Sequence, residues 1–127
     1  MTIDLNCDLG EGVGSDDELM PLVTSANIAC GAHAGDEVTM RATVRLALLH
    51  RVAIGAHPGF ADRVNFGRRE QSLNRAEARE LVLGQVAKLQ RIAAEEGAVV
   101  THVKLHGAFY NQTARDADLA LAVHEAV

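Results

Sequence analysis

The chain has 127 residues, of which 48% are hydrophobic and 3% aromatic, and its formal net charge is −5. This size fits one domain, predicted at residues 1–127, and the hydrophobic content argues against a disordered chain. The negative charge argues against nucleic acid and an anionic membrane as partners. No apolar run approaches the roughly 20 residues of a membrane-spanning helix, and we identify no signal peptide. We therefore expect a cytoplasmic protein with an aliphatic core, in which Cys7 and Cys30 are reduced and buried.

Short apolar runs alternate with helical patterns along the chain. The runs predicted as strands are Thr2–Cys7, Ala26–Cys30, Val52–Ala56 and Val99–Leu105. Helices are predicted from Ser15 or Asp16 to just before Thr24, after Asp36, between Asn74 and Gly97, and at Asp116–Val127. Strands that alternate with helices imply right-handed crossovers and a parallel sheet. We therefore predict an α/β fold that is (β/α) barrel-like and contains about four βα units.

Four such units form an arc rather than a closed barrel. The strands at the two ends of an arc expose unpaired backbone groups, which invite pairing with another segment. Either the chain is part of a longer barrel, or a partner covers an edge, and a second copy in a homo-oligomer could supply that cover.

Two of the helices have clear end signals. Asp36 is a predicted N-cap, and Asn74 with Glu77 three residues later has the pattern of a capping box, while Gly97 suits a C-terminal end. Apolar residues with helical spacing follow each start. They are Met40, Val44, Ala47 and Leu48 in one helix and Val82, Val86, Leu89 and Ala93 in the other.

Polar residues occupy equivalent places at the ends of the apolar runs. His33, His57 and His106 each follow such a run beside a glycine, and Asp8 ends the first run. The carboxyl ends of parallel strands meet at one rim, where ligands and catalytic groups collect. The sequence therefore predicts one site that these four side chains share.

The site has two interpretations at this point. Neutral imidazoles and a carboxylate can hold a divalent metal, and Asp8, His33 and His57 are the candidate metal ligands. The same side chains could instead form hydrogen bonds to a substrate without any metal. The spacing does not decide, because the ligands would come from different strands.

Two further carboxylates lie near these residues in the sequence. Glu11 is three residues after Asp8, and such a pair could divide general acid and base duty if burial separates the two pKa values. Loop capping would also account for Glu11. Asp36 could face the site beside His33, although the N-cap role already explains it.

Cationic side chains complete the candidate site. Lys104 and His106 are one residue apart, so strand alternation places them on one face. A long loop from His57 to about Leu73 carries Arg68 and Arg69, either of which could bind a carboxylate or phosphate with two hydrogen bonds, or lie at the surface.

Longer motifs carry a resemblance to a known family. They are Asn6–Glu11, Ser25–Asp36, Gly55–Gly59, Phe66–Arg69 and His102–Asn111. On these motifs the chain resembles the LamB/YcsF family from Thr2 to its end. It departs from the usual pattern at Ala32, Leu105 and Phe109, and it corresponds to about the N-terminal half of a member.

The resemblance implies a (β/α) barrel related to the polysaccharide-deacetylase group. It also implies the ATP-dependent opening of 5-oxoproline to glutamate by a 5-oxoprolinase, together with two further subunits, B and C, so that ATP is a co-substrate. The motif positions implied as catalytic are Asp8, His33, His57, Lys104 and His106. Those implied to bind substrate nearby are Glu11, Asn27, Asp36 and Arg68.

These assignments lead to a mechanistic hypothesis with two rivals. Lys104, helped by Arg68, would stabilise developing negative charge, and Asp8 with a histidine would position water or move a proton. One rival is a metal-dependent amide hydrolase or deacetylase that works without ATP. The other is a non-catalytic protein that binds a small acid or acts as a scaffold.

Overall fold

The structure is a computed structural model, and it describes residues 3–127. Its centre is a parallel sheet of four strands in the order β1-β2-β3-β4. The strands are β1 Asn6–Leu9, β2 Ser25–Ala29, β3 Ala53–His57 and β4 Val100–Val103. The helices are α1 Asp16–Leu19, α2 Glu37–His50, α3 Arg75–Glu95, α4 Gly107–Thr113 and α5 Ala117–Ala126, and a 3-10 turn at Met20–Leu22 follows α1. The predicted α/β fold with parallel strands is confirmed and is consistent with part of a barrel.

The two faces of the sheet differ in chemistry because side chains alternate along each strand. The strand register places Leu9, Ile28 and Ala56 in one row across β1, β2 and β3, and all three are buried in the main apolar core. Helices α2 and α3 supply apolar residues to the same core. Those on α2 are Met40, Val44 and Ala47, and those on α3 are Val82, Val86, Leu89, Ile92 and Ala93.

The opposite face carries a polar row. The register aligns Asp8, Asn27, Gly55 and His102 across the four strands. Asn27 is fully buried, donates to Asp8 Oδ1 at 2.8 Å, and lies 2.8 Å from His102 Nε2 through its own Oδ1. The ring of His102 crosses β3 at Gly55, where a Cβ atom would lie 2.2 Å from His102 Nε2. Gly55 therefore provides the space that lets β2 and β4 form a hydrogen bond over the strand between them.

A side-chain contact joins the two outer strands across this polar face. Neighbouring strands are about 4.8 Å apart, so the outer strands of a flat four-stranded sheet would be about 14 Å apart. Lys104, one residue after β4, nevertheless places its Nζ atom 2.8 Å from each carboxylate oxygen of Asp8 in β1. The side chains of Lys104 and Asp8 together span most of this distance.

Several element boundaries differ from the sequence prediction. The first strand begins at Asn6 and continues through Asp8 to Leu9 rather than ending at Cys7, and Thr2 lies outside the described residues. The fourth strand ends at Val103, before Leu105. Helix α4 at Gly107–Thr113 was not predicted, because its N-cap residue makes no side-chain cap and its first residue is a glycine.

The predicted helix ends are confirmed. The Asp36 carboxylate accepts from the backbone N–H of Thr39, and Asn74 and Glu77 form a complete capping box. Gly97, with φ of +78°, follows the C-cap residue of α3. Of the apolar residues with helical spacing in α2, Leu48 is 42% exposed, whereas the other three are buried.

Two smaller features complete the fold. Both cysteines are free, as expected; Cys7 is only partly buried, whereas Cys30 is buried, which raises its pKa to about 12 and keeps the thiol protonated. Between residues 3 and 127, none of the helices combines the length and the hydrophobicity that crossing a membrane requires.

Candidate active site

The carboxyl ends of the strands bring the predicted residues together. Asp8 lies in β1 and His57 ends β3, while His33 lies in the loop between β2 and α2. Lys104 and His106 lie between β4 and α4. The parallel arrangement explains this convergence, because each of these strands ends at the same rim of the sheet.

Three imidazoles form the buried centre of the site. His33 and His57 are 1% exposed and His106 is 6% exposed. The rings of His33 and His106 stack with centroids 3.7 Å apart and an interplanar angle of 2°. The ring of His57 meets that of His106 edge-on, with centroids 4.9 Å apart. Such dense packing of imidazoles fixes the position of each ring nitrogen.

Backbone carbonyls fix the tautomers of two imidazoles. His57 Nδ1 lies 2.7 Å from the carbonyl oxygen of Lys104, and His106 Nε2 lies 2.8 Å from that of Phe66. A carbonyl can only accept, so each of these nitrogens is assigned the proton. The other two nitrogens, His57 Nε2 and His106 Nδ1, then carry lone pairs, and they face each other 3.0 Å apart.

Glu11 brings a carboxylate to the same centre from the loop after β1. Its Oε1 atom lies 3.3 Å from His33 Nε2, 3.5 Å from His106 Nδ1 and 3.8 Å from His57 Nε2. Burial raises the pKa of Glu11, but the hydrogen bond from His33 and the nearby His106 outweigh it, so the pKa falls below its ordinary value. Glu11 is therefore an ionised carboxylate.

These four side chains could bind a metal ion. One ligand atom from each of Glu11, His33, His57 and His106 lies within 4.8 Å of all the others. The group differs from the predicted set of Asp8, His33 and His57. Glu11 and His106 belong to it and Asp8 does not; both Asp8 oxygens accept hydrogen bonds from Lys104.

Asp8 is held as an anion beside this group. Burial raises the pKa of its carboxyl group, and the hydrogen bonds from Lys104 and Asn27 lower it by more, so the pKa lies below its ordinary value. Asp8 Oδ2 is also 3.4 Å from His57 Nε2. The carboxylate thus lies between an ammonium group and the imidazole cluster.

The imidazoles resist protonation. Burial lowers the pKa of His57 to about 4, against the opposing charge of Asp8. Burial also lowers the pKa of His106, against its hydrogen bond to the Phe66 carbonyl. At neutral pH both rings are neutral and each offers one lone pair to the site.

Arg68 and Asp36 have different places relative to this site. A cavity of about 530 Å³ is lined by Asp8, His57, Arg68, Lys104, His106 and Asn111 among others, so Arg68 contributes its charge there. Its guanidinium carbon lies 5.5 Å from the centroid of the Phe66 ring. Asp36 is exposed and its carboxylate binds the backbone N–H and the hydroxyl of Thr39. In the described chain it is a helix cap that lies apart from the imidazole cluster.

The structure adds residues that the sequence reasoning did not single out. Asn6 bonds to Asn27 through both side chains, and His102 bonds to Asn27 from the other side. A period of two could have found them, since Asn6 precedes Asp8 and His102 precedes Lys104 by two positions. No comparable pattern in the sequence indicates that the Phe66 carbonyl contacts His106.

Two glycines let the long loop after β3 lie directly on the imidazoles. A Cβ atom at Gly67 would lie 2.8 Å from His33 Cβ, and one at Gly59 would lie 2.9 Å from His33 Nδ1. Gly67 also has φ of +63°, which disfavours other residues. The loop therefore closes one side of the cluster with backbone alone.

Comparison with known proteins gives consistent matches. The model of the LamB/YcsF family matches residues 3–127. Proteins named as the A subunit of 5-oxoprolinase are 50% identical in Bacillus mycoides and 52% identical in Bordetella pertussis, over 99% and 98% of this chain. The crystal structure of a lactam utilization protein from Thermus thermophilus superimposes with a TM-score of 0.95 at 46% identity, over 99% of this chain. The chain spans about half the length of these proteins, 52% of each relative and 53% of the crystallised chain.

Proposed function

The chain belongs to the LamB/YcsF family, and from that premise we propose that it forms part of the A subunit of an ATP-dependent 5-oxoprolinase. The enzyme would open the lactam ring of 5-oxo-L-proline to give L-glutamate in the cytoplasm. The names of the relatives supply the substrate, since they refer to 5-oxoprolinase or to lactam utilization. The chain would be the N-terminal half of the family's barrel.

The observation that carries the proposal is the convergence of Asp8, Lys104 and Arg68 on one cavity. A lactam amide is stable, so ATP would activate it by phosphorylating the amide oxygen, with release of ADP. Attack by one water would then break the ring C–N bond and leave an acyl phosphate of glutamate, and a second water would hydrolyse that to glutamate and phosphate. An ionised carboxylate beside two cations matches the needs of such a reaction.

Each residue has a separate task in this scheme. Asp8, held as an anion by Lys104 and Asn27, would take the proton from the attacking water. Lys104 and Arg68 would stabilise the negative charge that grows on the reacting oxygens, or bind the substrate carboxylate. Glu11 and Asn27 would hold the imidazoles and Asp8 in place.

Two further subunits, B and C, are the proposed partners. The relatives are named as one lettered subunit of their enzyme, which implies a complex of several subunits. The remaining half of the barrel would cover the open edges of β1 and β4, since an open sheet edge otherwise invites unspecific pairing.

Glutamate formation from 5-oxoproline tests the proposal. The chain is combined with subunits B and C, and glutamate is measured with each component and ATP omitted in turn. We expect product only when this chain and ATP are both present. Full activity without this chain would contradict the proposal, and tight binding of 5-oxoproline without turnover would favour a binding or scaffolding role.

A second candidate is a metal-dependent amide hydrolase that needs no ATP. The convergence of Glu11 with three imidazoles favours it, because such groups hold metals that activate water. The same assay separates the two functions. Glutamate formation that is unaffected by ATP and abolished by a chelator would favour this second candidate.

A further inference from the structure

Two nitrogen lone pairs point at one another in the centre of the site. His57 donates through Nδ1 to the Lys104 carbonyl, and His106 donates through Nε2 to the Phe66 carbonyl. The nitrogens left over, His57 Nε2 and His106 Nδ1, are 3.0 Å apart. Both are buried, and two buried acceptors at this distance repel unless positive charge lies between them.

The carboxylate of Glu11 adds a third acceptor. Its Oε1 atom lies 3.5 Å from His106 Nδ1 and 3.8 Å from His57 Nε2. A proton shared by the two imidazoles would satisfy one of these contacts. A cation at the centre would satisfy the two nitrogens and the carboxylate oxygen together.

The distances fit a tetrahedral ion. Zinc bonds of about 2.0–2.2 Å to nitrogen and oxygen place two tetrahedral ligand atoms about 3.3–3.6 Å apart. The three distances between ligand atoms here are 3.0, 3.5 and 3.8 Å, of which one lies below, one within and one above that range. Two imidazoles and one carboxylate are also a donor set that zinc accepts in catalytic sites with one open position.

His33 differs from the other two histidines. A ligating histidine nearly always donates its second N–H to a carbonyl or carboxylate. His57 and His106 do so, whereas His33 Nδ1 is buried with no hydrogen-bond partner among residues 3–127. His33 Nε2, 3.3 Å from Glu11 Oε1, is therefore better placed to donate to the carboxylate than to bind an ion.

We propose that Glu11, His57 and His106 bind a divalent cation, with zinc the best fit, and that His33 orients Glu11 by a hydrogen bond. His57 and His106 line the cavity that also holds Asp8 and Lys104, so the ion would lie at its floor. The ion would act there as a Lewis acid toward a carbonyl or phosphoryl oxygen. This site goes beyond the proposed function and holds whether or not ring opening depends on ATP.

The test measures bound metal rather than activity. The chain, produced without a polyhistidine tag, is dialysed against zinc and then against metal-free buffer, and its zinc content is determined. We expect about one zinc per chain, and cobalt in its place should give the strong visible absorption of a tetrahedral site. A folded chain that retains no zinc and shows no such cobalt spectrum would overturn the proposal.

Variants test the ligand assignment. His57→Ala and His106→Ala should each weaken zinc binding by more than about 100-fold, and His33→Ala by about 10- to 100-fold, because it removes only support. His124→Ala, at an exposed histidine on α5, is the matched control and should bind zinc normally. Circular dichroism checks that each variant is folded.

Asp8→Asn separates this ligand set from one that includes Asp8. It removes the carboxylate charge but leaves Glu11, His57 and His106 in place, so zinc should remain bound. Loss of zinc in Asp8→Asn, or a loss in His33→Ala as large as in His57→Ala, would overturn the three-ligand assignment. Zinc binding together with ATP-independent turnover would leave the site standing and contradict the ATP-dependent function.

Discussion

Two groups of charged side chains in this molecule are built in opposite ways. Along and between α2 and α3, Arg41, Arg45 and Arg91 pair with glutamates, and each contact joins opposite charges at 2.6 to 2.9 Å. At the strand ends, carboxylates and imidazoles are gathered in the interior, and two imidazole lone pairs face each other. In the first group the charges compensate one another. In the second group the facing lone pairs need a proton, an ion or a ligand between them.

The difference separates stability from function. Exposed ion pairs contribute little to stability because water competes for both charges. A buried polar group without full compensation costs stability and persists where the surrounding fold holds it in place, which is common at active sites. We therefore expect substitutions in the interior group to change activity strongly and substitutions in the surface group to change little.

The largest effect is expected at Asp8. Asp8→Asn keeps the size of the side chain but removes the proposed proton acceptor, so glutamate formation should fall about 10²- to 10⁴-fold. The matched control is Asp17→Asn, at an exposed residue of α1. Activity is measured in the complex with ATP present. An equal loss in both variants would show that the interior group is not special.

Lys104→Gln should affect both rate and pH dependence. Loss of a charge that stabilises the transition state should lower kcat about 10²- to 10³-fold. Lys104 also lowers the pKa of Asp8 by its hydrogen bond, so its removal should shift the acid limb of the pH–rate profile to higher pH. Lys88→Gln, at the other lysine of the chain, is the control. An unchanged acid limb would show that protonation of Asp8 does not determine that limb.

Two glycine substitutions compare how the loop over the imidazoles and helix α3 tolerate an added side-chain atom. Gly67→Ala adds a Cβ 2.8 Å from His33 Cβ at a residue with φ of +63°, and should lower the free energy of unfolding by about 1–3 kcal/mol. Gly84→Ala, inside α3 with nothing within 4 Å of the added atom, should raise it by about 0.5–1 kcal/mol. Urea unfolding measures both. Changes of the same sign would contradict the close packing described for the loop.

The smallest effect is expected for the ion pairs of the surface group, and it is a change in stability that appears only at acidic pH. Hydrogen bonds from Arg45 and Arg41 lower the pKa of Glu96 to about 2. A carboxylate with a lowered pKa adds stability above its unfolded pKa of 4.5, and that stability is lost as pH falls toward about 2. Glu96→Gln should therefore flatten the loss of stability between those pH values, measured by circular dichroism. A steeper loss in the variant would contradict the ion pairs.

The sequence predicted the parts of the fold that local rules determine. The capping box of Asn74 and Glu77 was found because both partners lie in one helical turn. The strand boundaries were less accurate: the apolar run predicts a strand that ends at Cys7, before Asp8, although that carboxylate lies on the polar face within β1. Helix α4 lacked a capping signal and was missed.

The sequence indicated residues that meet at the strand ends, but not the hydrogen bonds that join them. The histidines were recognisable because each follows an apolar run, whereas their tautomers depend on backbone carbonyls of Lys104 and Phe66, which sequence does not place. The contact between Asp8 and Lys104 is another feature that the sequence does not indicate. Lys104 reaches Asp8 from 96 positions away and occupies both of its oxygens, a contact that only the folded chain shows.

That long-range contact links occupancy of the site to the spacing of the outer strands. Lys104 follows β4 and Asp8 lies in β1, so their ion pair joins the two ends of the strand order. An anion that binds Lys104 competes with Asp8 for the N–H donors of the ammonium group, so we expect it to weaken this ion pair. A pair of distance probes on β1 and β4 would report any accompanying change in the separation of the outer strands.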